Sequence, residues 1–309
     1  MPRTEHPGQP LLTFPDADKS PLSIRAKALV FIDARSRQLR EEVEQLAPSH
    51  LPVLIQGETG TGKELLARHI HRESDRAGLF VALSCSSLSH NHAEAELFGY
   101  AAGAHSGTAS SRAGWFGSAN GGTLYLDEIG DLPLILQDKL LAALENREVT
   151  RVGAGQATPV DVRLVAATSI DLGQAVEAGK FHQRLYLYLN EGRLALPPLR
   201  ERIGDILPMA EYFLGIYTQR LGLPMPLISA AAQQVLEWHH WPGNTRELEN
   251  VIHFALLVSS GEEILPEHLE AAGVRAPLPA IEQQLRQWLL RAGEEGAEQL
   301  KQLLAQIIP

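Results

Sequence analysis

The sequence predicts an α/β protein, a parallel sheet flanked by helices followed by a smaller helical unit. Three observations carry this. Short apolar runs alternate with helical stretches over the first two thirds of the chain, a glycine-rich turn joins the first run to a helix, and only helical periodicity continues after Pro197-Pro198. Alternating strands and helices favour parallel pairing, because each crossover helix returns the chain to the same end of the sheet.

The strand-sized runs are Val53–Ile55, Phe80–Leu83, Thr123–Leu126, Val162–Ala166 and Arg193–Leu196. All are apolar enough to be covered on both faces. Helical periodicity falls between them at 63–73, 134–145 and 171–177, and ahead of them at 36–46. Beyond the two prolines it falls at 206–221, 230–238, 245–257 and 266–271. The expected organisation is a flexible Pro-rich tail over 1–22, an α/β nucleotide-binding subdomain over 23–202, an all-α lid over 203–273, and a linker with terminal helices over 274–309.

At 309 residues the chain exceeds what one core usually needs, and its 44% hydrophobic and 21% charged residues are ordinary for a globular protein. No apolar run approaches the ~18–20 residues of a membrane helix. No secretory pattern opens the chain, and its lone Cys85 cannot form an internal disulfide, so a cytoplasmic location without membrane attachment is expected. The net charge of −10 gives no compositional support for a nucleic-acid surface.

The chemistry begins at Gly57-Glu58-Thr59-Gly60-Thr61-Gly62-Lys63-Glu64. Glycines at this spacing let successive amides turn inward and cradle phosphate oxygens, and Lys63 adds a point charge for the β- and γ-phosphates. A chance glycine-rich turn is the competing reading. The strand before and the helix after argue against it, and ATP is the expected ligand. The position after the lysine is Glu64 rather than a hydroxyl residue. Asp127-Glu128 closes the strand Leu124-Tyr125-Leu126. An acid there can orient magnesium through Asp127, while Glu128 orients or activates a water against the γ-phosphate. An acidic helix cap is the bland alternative.

Five segments then resemble the AAA+ domain of bacterial enhancer-binding proteins, the activators of sigma-54 RNA polymerase. They are the P-loop itself, Glu96-Leu97-Phe98-Gly99, Asn120 through Gly130, Leu196-Pro197-Pro198-Leu199-Arg200-Glu201-Arg202, and Trp241-Pro242-Gly243-Asn244-Thr245-Arg246-Glu247-Leu248. The resemblance covers about residues 30–273, and Glu64 is normal for that family. It implies a ring, usually a hexamer, with ATP and magnesium bound between subunits of this chain or of a related AAA+ protein. It places Arg246 as the second sensor, touching nucleotide from its own subunit. Thr168 falls at the first sensor segment, where a threonine satisfied by its own strand end reads nearly as well.

The resemblance departs where coupling is concerned. The sigma-54 contact loop, Gly-Ala-Phe-Thr-Gly-Ala in the family, reads Gly103-Ala104-His105-Ser106-Gly107-Thr108. Its tip loses an aromatic ring and so the apolar surface that a ring buries. A partnerless surface loop is the bland reading. The trans-acting arginines expected near 182 and 188 are His182 and Tyr188, with Arg184 close by. An arginine finger can be worth ~10³–10⁵ in rate. Ser84 stands where the family often has asparagine, and Gly117 where it has a carboxylate. Binding residues match while coupling residues differ. The reading is an ATP-binding regulator of the sigma-54 activator class that remodels sigma-54 polymerase. The alternative is a weakly hydrolysing or non-hydrolysing AAA+ scaffold that uses ATP for assembly. DNA binding belongs to the intact system, yet 281–307 shows apolar spacing suited to packing and no readable recognition helix.

Overall fold

The computed structural model describes residues 12–13, 29–89, 91–104, 110–259, 262–274 and 300–301. The expected terminal helices over 281–307 and the loop tip His105-Ser106-Gly107-Thr108 lie outside the described residues, apart from Leu300 and Lys301. So does most of the expected tail, although its Leu12–Thr13 (β1) pairs antiparallel with Leu29–Val30 (β2). By contacts the chain divides into two units. One comprises 1–209 with 241–248, and the other 210–240 with 249–309.

The first unit holds a five-stranded parallel sheet. Its strands are β3 (Val53–Gln56), β4 (Phe80–Ser84), β5 (Thr123–Asp127), β8 (Arg163–Thr168) and β9 (Arg193–Ala195), in the order β4-β5-β8-β3-β9. Between β5 and β8 lies a small antiparallel hairpin, β6 (Glu148–Thr150) and β7 (Ala157–Pro159). Both faces of the sheet are covered, which explains the continuous apolar runs. On one face Leu54, Leu124, Leu126, Leu164 and Ala166 join residues of α5 (Leu134–Asn146) and α7 (Gln183–Leu189) in one core. On the other Val53, Ile55, Tyr125, Val165 and Ala167 pack with α1 (Ala34–Leu46) and α2 (Lys63–Glu73). The period-2 alternation of strand side chains sorts neighbouring residues into opposite layers.

Short helices α3 (Ala93–Phe98) and α4 (Gly114–Ser118), with α6 (Leu172–Glu177), complete this unit. Neither α3 nor α4 has the length for a readable periodicity. They meet where Gly99 and Gly114 cross. A Cβ on Gly114 would lie 2.3 Å from the Gly99 nitrogen, and both glycines have positive φ. That crossing clamps the stem of the loop that starts at Gly103-Ala104, with Tyr100 bridged to Arg112 on one side and to Val152 on the other.

The second unit contains α9 (Ala230–Trp238) and α11 (Pro266–Ala271), and shares α8 (Ile206–Leu221) and α10 (Asn244–Val258) with the first by sequence. Ser229 caps α9, its hydroxyl accepting from the Ala232 amide at 3.1 Å. The Tyr217 hydroxyl donates to Glu249 at 2.7 Å, and the Tyr217 ring stacks on His253. Helical periodicity does not announce the minimal parallel ladder here, β10 (Leu227–Ile228) with β11 (Glu263–Ile264). Two residues per strand are too few for a pattern. No described helix is long and apolar enough to cross a membrane.

Leu124 is fully buried in the centre of the sheet. Leu124→Ala should lower the stability of the first unit by about 2–5 kcal/mol, the usual cost of a buried leucine cavity. Urea unfolding read by circular dichroism measures it, and an unchanged midpoint would contradict the packing described.

Candidate functional site

Strand order fixes the site. The chain leaves β3 through α2 toward the β4 edge, and leaves β8 toward β9 on the opposite side. Adjacent strands whose connections diverge open a crevice at their carboxyl ends, where ligands of open α/β sheets bind. Three segments reach that crevice. The P-loop follows β3, Asp127-Glu128 ends β5, and Thr168-Ser169 ends β8 between them.

The P-loop is shaped by φ angles of +82° at Gly60 and +102° at Gly62, the latter serving as the N-cap of α2 with no side-chain cap. Among the described residues the amides of Gly60, Gly62, Lys63 and Glu64 donate to no protein acceptor. The opening turn of α2 therefore presents free N–H groups and the positive end of a helix dipole, the arrangement that binds an anion. Carbonyls of the loop are engaged instead. Asn244 Nδ2 donates to Thr59 O at 3.1 Å, Thr245 Oγ1 to Gly60 O at 2.5 Å, and Arg202 Nη2 to Thr61 O at 3.0 Å. Thr61 Oγ1 donates to Glu58 O at 2.7 Å, and the Gly57 amide to Thr168 O at 3.1 Å.

Glu58 ties the loop to its supports. Its carboxylate accepts from both Nη atoms of Arg200 and, at 3.1 Å, from Asn244 Nδ2. The Arg200 bonds first, and Asn244 second, hold its pKa down at about 2, from an ordinary 4.5. Asn244 Oδ1 accepts in turn from the Leu199 amide at 2.8 Å. Asn244 adopts φ +53°, a conformation asparagine tolerates, whereas Trp241 holds φ +49° while fully buried. A bulky aromatic residue keeps such a backbone only when its surroundings over-determine it. The turn they form brings Gly243 so near the loop that a Cβ on Gly60 would lie 2.3 Å from Gly243 O.

Lys63 is 7% exposed, and its ammonium donates to Gly57 O at 3.0 Å and to Glu128 Oε1 at 3.1 Å. Glu128 sits at φ +47° after β5. Its Oε2 accepts from both the amide and the hydroxyl of Ser169 at 2.9 Å. Ser169 was not singled out from the sequence, though its place next to Thr168 at a strand end is the signal that could have found it. Thr168 is buried, and its hydroxyl exchanges bonds with the Ile170 backbone, so it is satisfied locally. Asp127 Oδ1 accepts from the Tyr125 hydroxyl at 3.0 Å and the Glu128 amide at 3.2 Å. Its other oxygen has no partner among the described residues, which leaves it able to serve a hard cation. Glu64 accepts two bonds from Arg68 one turn along α2. The Arg246 side chain is exposed with no hydrogen bond or ion pair among the described residues, and its Cβ is 3.5 Å from a Cβ built on Gly60.

The departures noted in the sequence take definite places. His182 caps α7, its Nδ1 accepting from the Leu185 amide, while its Nε2 lies 3.1 Å from Asp138. Tyr188 is half-buried against the core. Arg184 pairs with Glu145 at 2.9 Å. The Ser84 hydroxyl meets Ser86 at 2.8 Å rather than Glu128. Cys85 is buried, and burial with nearby Asp131, Asp127 and Glu128 pushes its thiol up to about 12, which removes it as a nucleophile.

Comparison with known proteins fits this geometry. The sequence profile of the sigma-54 interaction domain matches residues 29–195, and that of an AAA+ ATPase lid domain matches 200–283. The Sigma54-dependent transcriptional regulator SfnR of Pseudomonas fluorescens (strain Pf0-1) is 49% identical over 270 residues, covering 87% of this chain and 74% of SfnR. The Sigma54-dependent transcriptional activator SfnR of Pseudomonas putida is 51% identical over 266 residues, covering 86% and 73%. The crystal structure of NtrX from Brucella abortus in complex with ATP superposes with a TM-score of 0.76 at 31% identity, covering 89% of this chain and 62% of the NtrX chain.

The Glu58 carboxylate sets a pH dependence. Its folded pKa, about 2, lies below its ordinary 4.5, so its contribution is complete above pH 4.5 and is lost as pH falls through 2. Glu58→Gln should be less stable than the parent at pH 7, with the gap closing between pH 4.5 and 2. Denaturant midpoints across that window test it, and a gap independent of pH would exclude the ionised pair as the cause.

Proposed function

This chain belongs to the family of sigma-54-dependent transcriptional activators, and on that premise we propose that it binds ATP with magnesium and assembles as a ring. Nucleotide binding and hydrolysis then act on sigma-54 RNA polymerase in the cytoplasm. The observation that carries the nucleotide reading is the set of unpaired amides at Gly60, Gly62, Lys63 and Glu64 around a buried lysine. Residues 57–64 cradle the phosphates, and Arg246 serves as the second sensor from the same subunit. Asp127 would hold magnesium through the oxygen that has no partner among the described residues, and the ion would supply charge neutralisation at the phosphates when bound.

Glu128 starts paired to Lys63 and Ser169. Phosphates arriving at Lys63 compete for its ammonium and repel the carboxylate. Freed, Glu128 orients a water for in-line attack and accepts its proton. Ser169 takes the positioning part that the family gives to an asparagine at the Ser84 place. Thr168, locally satisfied, contributes through its carbonyl on Gly57 rather than through its hydroxyl. The loop from Gly103 and Ala104 through His105, Ser106, Gly107 and Thr108 is the surface offered to sigma-54, with DNA binding supplied by the intact system.

A second reading is favoured by α7. His182 is used as a helix cap and Tyr188 packs against the core, so neither position offers an arginine to a neighbour. The pure chain then hydrolyses slowly, and a related subunit in a mixed ring supplies the missing charge.

Isothermal titration should show ATP binding that Lys63→Ala weakens more than tenfold, the loss of charge-assisted bonds to phosphate. Glu128→Gln should keep or raise ATP affinity, since the competing carboxylate is gone, while lowering turnover by ~10²–10⁴, the range for a general base. ATPase rates that do not depend on protein concentration would remove the intersubunit site. A rate increase in Tyr188→Arg supports the second reading. Failure to bind sigma-54 in the presence of a transition-state analogue of ATP would sink the polymerase assignment.

A further inference from the structure

A cavity of about 140 Å³ opens at the end of the sheet where the strands begin, opposite the P-loop. His50 lies just before β3, Asp161 just before β8, Arg147 follows α5, and Tyr188 lies on α7. With Arg76 and Arg163 they line it. Three arginines face one aspartate in a chain whose net charge is −10.

Arg163 is 3% exposed, and every acceptor it meets is a neutral carbonyl: Leu51 O at 3.1 Å, Ala47 O at 2.5 Å and Leu46 O at 2.9 Å. It pairs with no carboxylate among the described residues. Capping the end of α1 offsets part of one charge, since a helix terminus carries about half a unit. A buried guanidinium without an anionic partner remains unfavourable. Burial, and next the charge of Arg76, draw the Arg163 pKa down to about 10. The carboxylate of Asp161 is claimed by Arg76 at 2.8 Å. Arg147 is exposed at φ +54°; its backbone is engaged with Ala143 and Val160, while its guanidinium makes no hydrogen bond or ion pair among the described residues.

We propose that this cavity is a second anion site, separate from the P-loop, that takes a small tetrahedral oxyanion of the phosphate class. The volume leaves room for such an ion, since a single water already fits in roughly 10–15 Å³ of such space. Arg147 closes the site from the solvent side, Arg163 supplies its buried charge, and Tyr188 and His50 offer further donors. Tyr188 thereby acquires a use other than the one its place in α7 suggests.

The test needs a background in which the P-loop binds phosphate weakly, so titrations of inorganic phosphate against chloride at matched ionic strength use the full Lys63→Ala chain, and the Arg147 variants assign the binding that remains to the cavity. Binding should persist there. Adding Arg147→Ala should weaken it about tenfold, the loss of one charge-assisted hydrogen bond, and Arg147→Glu should abolish it. Arg147 is exposed, so matched melting curves will report intact folding in both variants. Competition by sulfate supports a tetrahedral ion, and equal binding of adenosine monophosphate would make a phosphate monoester the source. The proposal fails if Lys63→Ala binds no phosphate, or if both Arg147 variants bind as tightly as their background.

Discussion

A phosphate cradle requires amides that point inward with nothing to satisfy them, and every such amide belongs to a peptide whose carbonyl must go elsewhere. In this chain the carbonyls of Thr59, Gly60 and Thr61 are taken one by one by Asn244, Thr245 and Arg202. The Glu58 carboxylate is bound by Arg200 and Asn244. The P-loop is therefore held from behind by segments far along the sequence. The same Arg202 is buried 3.8 Å from Asp205, whose Oδ1 accepts from the Ile32 and Asp33 amides at the entry to α1. One connected set of polar contacts thus fixes the loop, the turn around Asn244 and the start of the first helix. Among the described residues Arg202 Nε and Asp205 Oδ2 are buried without a hydrogen-bond partner, so the set ties these three segments together without being fully satisfied.

Within that frame the reactive groups are paired with each other. Lys63 and Glu128 neutralise one another, and Ser169 holds the carboxylate from the neighbouring strand. The sheet order makes this possible, because β8 lies between β3 and β5 and brings Ser169 to the gap. The residues proposed to bind nucleotide thus meet one another within one chain. Those expected to act on a neighbour are absorbed locally: His182 into a helix cap, Arg184 into a pair with Glu145, and Tyr188 into the core and the arginine-lined cavity.

The central strands and α2 were legible because their signals are local, as was the P-loop with the acids after β5. Strands covered on both faces leave apolar runs, and glycines at fixed spacing leave a motif. Other features are created by tertiary contact and carry no local mark. The bond from Ser169 to Glu128 depends on strand order, and the grip of Arg200 and Asn244 on Glu58 spans well over a hundred residues. The hairpin of β6 and β7 and the helices α3 and α4 are too short for periodicity to speak. From the sequence Thr168 reads as a sensor or as a strand-end residue, because its hydroxyl bonds to the Ile170 backbone depend on a turn that carries no local mark.

The single cysteine carries a practical consequence. Burial first, and the nearby carboxylates second, keep the Cys85 sulfur protonated. The chain is therefore close to silent toward maleimides and disulfide reagents as it stands. A cysteine placed on the exposed surface would be the one fast-reacting sulfur. Fluorophores or spin labels could then be set singly, at any chosen exposed position, in a background that needs no prior removal of thiols.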